Sequence, residues 1–145
     1  MGRRGQRPSL TTLPPVATRK PMTVLLQVAL GGALGASARY MTGLAMTRIL
    51  GRGFPWGTLT VNILGSFAMG VLVVALLHLG GNRYAPLLMT GVLGGFTTFS
   101  AFSLDAVTLY ERGDIALAAV YVAGSVILSL AALAAGLILA RSITT

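Results

Sequence analysis

Four stretches of this chain stay apolar for longer than a water-soluble domain of its size requires: residues 23–47, 56–79, 84–109 and 115–140. A helix crossing the hydrocarbon core of a bilayer needs about 20 such residues. Lipid satisfies no backbone hydrogen bond, so each stretch has to be helical. Between them lie GRGFP at 51–55, GGNR at 80–83 and ERGD at 111–114, short connections with turn chemistry. The expected fold is an all-α integral membrane protein with four transmembrane helices per subunit. Composition agrees: 10% of the 145 residues are charged, against about a quarter in a soluble domain.

The formal net charge of +8 would suggest nucleic acid in a soluble protein, but its placement argues for a membrane. Arg3, Arg4, Arg7, Arg19 and Lys20 lie in a Pro- and Thr-rich segment without apolar period, read as a disordered tail over 1–21. A signal peptide is the competing reading of a basic segment before an apolar run. That run is longer than a signal core of about 7–15 residues, and three more follow. The membrane domain is therefore placed at 22–145. Outside the tail and Arg39, Arg83 and Arg141 fall on one side, and Arg48, Arg52 and Arg112 on the other. So even a distribution sets no strong orientation, and it permits an antiparallel, dual-topology homodimer. Restoring the tail's cations favours a cytoplasmic N-terminus.

Enzyme chemistry finds no residues to work with. There are no cysteines, one histidine (His78, near a helix end) and three acids, Asp105, Glu111 and Asp114. These build neither a nucleophile–base set nor a metal-ligand cluster within one membrane layer.

The polar residues inside the spans are more informative. Thr58, Asn62 and Ser66 share one helical face, as do Tyr121, Ser125 and Ser129. With Thr97, Thr98, Ser100 and Ser103 they form a polar track through lipid rather than one bland stripe. Hydrogen bonding between helices or back to carbonyls is the ordinary alternative. The track offers donors and almost no acids, which suits an anion. Arg39 adds a positive charge within the first span, as a site residue or as a side chain snorkelling to the headgroups. Gly31 with Gly35, Gly91 with Gly95, and Ala119 with Ala123 are small-residue pairs for close helix packing, within the bundle or across a dimer.

The centre of the third stretch reads GGFTTFSAFS, residues 94–103. Glycine pairs and threonines disfavour a helix interior, so a break is expected mid-membrane. Freed carbonyls at such a break attract a cation, and the following N-terminus favours an anion. In an antiparallel dimer two breaks can cross and surround one cation. Phe96, Phe99 and Phe102 recur every third residue, for packing or to turn positive ring edges towards an anion.

These residues together resemble the Fluc (CrcB) fluoride channels. The carriers are GGALGASARY at 31–40, GTLTVNILGSF at 57–67, GVLGGFTTFSAFS at 91–103 and the Tyr121–Ser125–Ser129 face, and the likeness covers about 22–141. It implies a passive, fluoride-selective channel exporting cytoplasmic fluoride, with two pores in an antiparallel homodimer of the cell membrane. It also implies a structural sodium ion at the dimer centre, held by the Gly94 and Thr97 carbonyls of each chain. By the same likeness Asn62, Phe99, Phe102, Tyr121, Ser125 and Ser129 line the fluoride pore. Arg39, Thr98, Ser100 and Asp105 are further pore or vestibule residues. Asp105 stands where the family carries an acid after the phenylalanines, and the basic tail has no counterpart. A dual-topology proton-coupled exporter is the main rival, but it needs a membrane-embedded carboxylate, and no Glu lies in any span. A scaffold subunit using only the small-residue faces is the other rival.

Overall fold

A computed structural model describes residues 20–144 apart from 79 and 81. Of the tail expected over 1–21, residues 1–19 lie outside the described residues, and Pro21 already belongs to the first helix. The first helix, α1 (Pro21–Leu50), has proline in its first turn, where the missing N–H costs no hydrogen bond. It stops at Gly51, whose φ of 85 suits glycine and whose N–H donates to the Thr47 carbonyl. Helix α2 (Trp56–His78) follows. The third span, Pro86–Glu111, opens with a π-helical stretch, Pro86–Leu93, and one α-helical turn, α3 (Gly94–Phe96). Thr97 (φ −82, ψ 159) and Thr98 (φ −157, ψ 122) are extended, after which α4 (Phe99–Glu111) begins. Helix α5 (Ile115–Thr144) completes the bundle. All four spans are long and apolar enough to cross a membrane, and the chain is a multi-pass, all-helical membrane protein.

Close backbone crossings hold the helices together. The Gly31–Gly35 face of α1 meets the Gly91–Gly95 face of the third span. A Cβ on Gly91 would sit 2.8 Å from the Gly31 Cα, and one on Gly95 2.7 Å from the Gly32 carbonyl oxygen. Both glycine pairs are thus engaged within one subunit. Helices α2 and α5 meet in the same way at Gly70 and Gly136, each against backbone of the other helix. Lipid tails give helices no hydrophobic reason to associate, so small residues that let backbones touch supply the dispersion contact instead. The outward faces carry exposed Leu, Ile and Val side chains along every span. Outward hydroxyls bond back to their own helix: Ser37 donates to the Ala33 carbonyl, Thr42 to Ala38, and Thr108 to Leu104.

A cluster of buried side chains joins α4 and α5. Phe102, Leu109, Ala118 and Tyr121 form a buried cluster with Phe54, Leu59 and Ala106 against it. Rings run in a chain from Phe99 to Phe102 (centroids 5.3 Å), Tyr121 (5.4 Å), Phe54 (5.5 Å, edge-on) and Trp56 (4.7 Å). Edge-on and offset pairs of this kind are favourable beyond their buried area.

Candidate functional site

The extended pair at Thr97–Thr98 is held by Asn62 on the neighbouring helix. Its Nδ2 donates to the Thr98 carbonyl (3.1 Å), and its Oδ1 accepts from the Thr98 N–H (2.9 Å). The side-chain amide thereby replaces the partners that the Thr98 backbone would have in a helix. One Nδ2 hydrogen is left over, since an amide nitrogen carries two. Thr98 also caps the helix that follows: its Oγ1 accepts from the Ala101 N–H (3.2 Å) and shares a hydrogen bond with Ser100 (3.2 Å).

These diversions have a consequence for two carbonyls. In a continuous helix Gly94 would accept from the Thr98 N–H, and Thr97 from the Ala101 N–H. Both N–H groups go to side chains instead. Gly94 and Thr97, the positions expected to hold a cation, therefore present carbonyls stripped of their helical donors. The Thr97 hydroxyl is used locally, donating to the Leu93 carbonyl (2.9 Å).

Beside the pair runs a groove of about 440 Å³ lined by Asn62, Ser66, Thr98, Phe99, Phe102, Ser125 and Ser129, with apolar walls from Met69, Val126, Leu130 and Leu133. Asn62 and Ser66 of the α2 stripe, Ser125 and Ser129 of the α5 stripe and Phe99 and Phe102 of α4 thus line one groove, while Thr58 and Tyr121, expected on the same track, lie outside its lining. Ser125 is 4% exposed and its Oγ has no hydrogen-bond partner. A buried hydroxyl left without a partner is costly. Phe102 is 8% exposed whereas Phe99 is 77% exposed, standing at the rim of the groove.

Tyr121 is fully buried behind Phe102. Its hydroxyl donates to Asp105 Oδ2 (3.2 Å), which also accepts from Thr58 (2.6 Å). One carboxylate oxygen thus ties α2, α4 and α5 together. Beyond it lies a second cavity, of about 610 Å³, whose lining includes Arg39, Thr58, Thr98 and Asp105. Thr98 lines both spaces.

Three expectations shift in detail. Phe96 stands apart from the other two phenylalanines of the three-residue recurrence: it ends α3, before the extended pair, next to Gly65. Of the glycines and threonines of GGFTTF, Gly94 and Gly95 are helical and Thr97 and Thr98 are extended, and Gly95 serves the crossing with α1. Ser103 bonds back to the Phe99 carbonyl (2.9 Å) and does not line the groove. Sequence reasoning missed Phe54, because a residue in a five-residue loop carries no periodicity, and missed the meeting of Arg52 and Arg112 in one cavity.

A family model described as CrcB-like protein, Camphor Resistance (CrcB), matches residues 26–137. A protein of Cereibacter sphaeroides named fluoride-specific ion channel FluC is 70% identical over 117 residues, 81% of this chain and 94% of the relative. Proteins of the same name from Paracoccus denitrificans and a Ruegeria species are 61% identical over 118 residues and 57% identical over 125. They cover 81% and 86% of this chain and 94% and 99% of their own lengths. An ion channel is not an enzyme, in keeping with the sparse titratable residues. With most of its length matched by the family model and by these relatives, the chain belongs to the CrcB family.

Proposed function

We propose that this protein is a passive fluoride-selective channel that lets cytoplasmic fluoride leave the cell across its inner or plasma membrane, conferring fluoride resistance. The observation that supports it most is the groove, where Asn62, Thr98, Ser125 and Ser129 offer short donors beside the rings of Phe99 and Phe102. Fluoride holds its hydration tightly, and closely spaced hydroxyl and amide donors replace water for a small anion better than for chloride. Ring edges carry the positive end of the aromatic quadrupole and face an anion without trapping it. Fluoride enters acidified cells as neutral HF and is held inside as the anion. The membrane potential then drives it out, worth about 2.3 kcal/mol per charge per 100 mV.

The working unit in this reading is an antiparallel, dual-topology homodimer. A single chain leaves Phe99 exposed at the rim of an open groove, and a second copy would close it. Two extended pairs, each interrupting a third span mid-membrane, then cross at the symmetry axis. The Gly94 and Thr97 carbonyls of both chains would hold a sodium ion there, supplying positive charge and rigidity at the centre. Their lost helical donors suit hard oxygen ligation. Arg39, in the neighbouring cavity with Asp105, draws anions towards the groove.

Phe99→Ile tests the aromatic part. The volume is nearly kept but the ring edge is lost, so fluoride release from vesicles falls at least about tenfold while the variant elutes as the wild type does. Unchanged release would remove the ring from the pathway.

A further inference from the structure

Positive charge gathers in the larger of these two cavities. Arg39 from α1, Arg52 from the α1–α2 loop and Arg112 after α4 all line it, and Asp105 is its one acid. Among the described residues none of the three guanidinium groups hydrogen-bonds or ion-pairs with another side chain. Asp105 sets one negative charge against their three and its Oδ2 is already engaged by Thr58 and Tyr121, so the lining keeps a net positive charge. Three like charges converging on one space repel one another unless an anion joins them. A monatomic anion engages few of their donors at once. A phosphate group presents several oxygens in a tetrahedron, and guanidinium forks match such oxygens in pairs. Trp56 lines the same cavity, and a tryptophan at a helix start marks the headgroup level, where phosphates reside.

We propose that this cavity is a binding site for a phosphate group, held by Arg39, Arg52 and Arg112. The group comes either from free inorganic phosphate or from an anionic phospholipid headgroup. Thr98 lines both this cavity and the groove, so a bound phosphate stands on the approach to the groove and competes with fluoride. That competition rests on the channel reading; the binding does not.

The test is calorimetric titration of the full chain in an uncharged detergent at low ionic strength, with inorganic phosphate and separately with dihexanoylphosphatidylglycerol. Three proteins are compared: wild type, Arg52→Gln with Arg112→Gln, and Arg48→Gln, whose arginine lies in the last turn of α1 outside the lining. Binding to the wild type that weakens at least about tenfold in the double variant, and little in Arg48→Gln, is the expected result. If inorganic phosphate shows this pattern, the source is free phosphate. If only the lipid shows it, the source is the headgroup. Absence of binding by both probes, binding undiminished in the double variant, or equal weakening in Arg48→Gln overturns the site. Should the double variant fail to elute as a single species, Arg52→Gln alone is compared with Arg48→Gln on the same criterion. Fluoride release with and without phosphate is measured beside it. A wild type that binds phosphate but passes no fluoride would sink the channel reading and leave the site standing.

Discussion

Replacing Asn62 with alanine is expected to lower fluoride release on the order of 100-fold, the effect of about 2.7 kcal/mol at the limiting step. Two backbone groups of Thr98 depend on this one amide. Leaving a buried donor or acceptor without a partner costs about 1–3 kcal/mol each. The extended pair then relaxes towards a continuous helix, returning the Thr98 N–H to the Gly94 carbonyl and moving Phe99 off the groove. Asn62→Asp separates the two roles. It keeps the acceptor for the Thr98 N–H but loses the donor to the carbonyl and adds a negative charge beside an anion path. It should retain more thermal stability than the alanine variant while being as inactive. Fluoride release from vesicles and melting in detergent give both readings. An alanine variant that conducts at the wild-type rate would show that the clamp is dispensable.

The second large effect is on assembly. Gly35→Val should prevent folding or lower stability by more than about 3 kcal/mol, the upper end of ordinary overpacking. A Cβ at Gly35 meets the Val92 carbonyl oxygen and would stand 2.8 Å from the Phe96 nitrogen. These are backbone atoms of a packed helix and cannot swing aside as a side chain tip would. Gly32 is one turn away on the same helix, and a Cβ there meets nothing within 4 Å. Gly32→Ala should therefore be tolerated, and helix propensity favours alanine by about 1 kcal/mol. Size-exclusion profiles and melting temperatures in detergent distinguish the pair. Equal tolerance of both would show that α1 and the third span do not cross as closely as described.

How much of this was legible in the sequence differs from residue to residue. The four spans were readable because lipid imposes one demand, a long apolar helix, and the chain meets it four times. The polar stripes were readable because Thr58, Asn62 and Ser66, and Tyr121, Ser125 and Ser129, recur at helical spacing. What each stripe does was less so. That Asn62 grips Thr98 depends on how α2 and the third span face each other, which spacing alone does not determine. Glycines are ambiguous in the same way: in GGFTTF they read as helix breakers, yet Gly95 lies at a tight crossing and the extended residues are threonines. Phe54, Arg52 and Arg112 belong to loops or helix ends, where no period exists and only the folded chain brings them together. The wider small-residue pattern was also open between packing within a subunit and between subunits. The Gly31–Gly35 and Gly91–Gly95 faces meet inside one chain.

The central claim is selective, passive fluoride movement, and one measurement addresses it most directly. The purified full chain is reconstituted into potassium fluoride-loaded vesicles, and release is followed with a fluoride electrode after a potassium ionophore is added. Chloride-loaded vesicles are run in parallel. Rapid fluoride release that starts only with the ionophore, with little chloride release, is the predicted result. No fluoride release from well-folded protein, or chloride release at a similar rate, would contradict it.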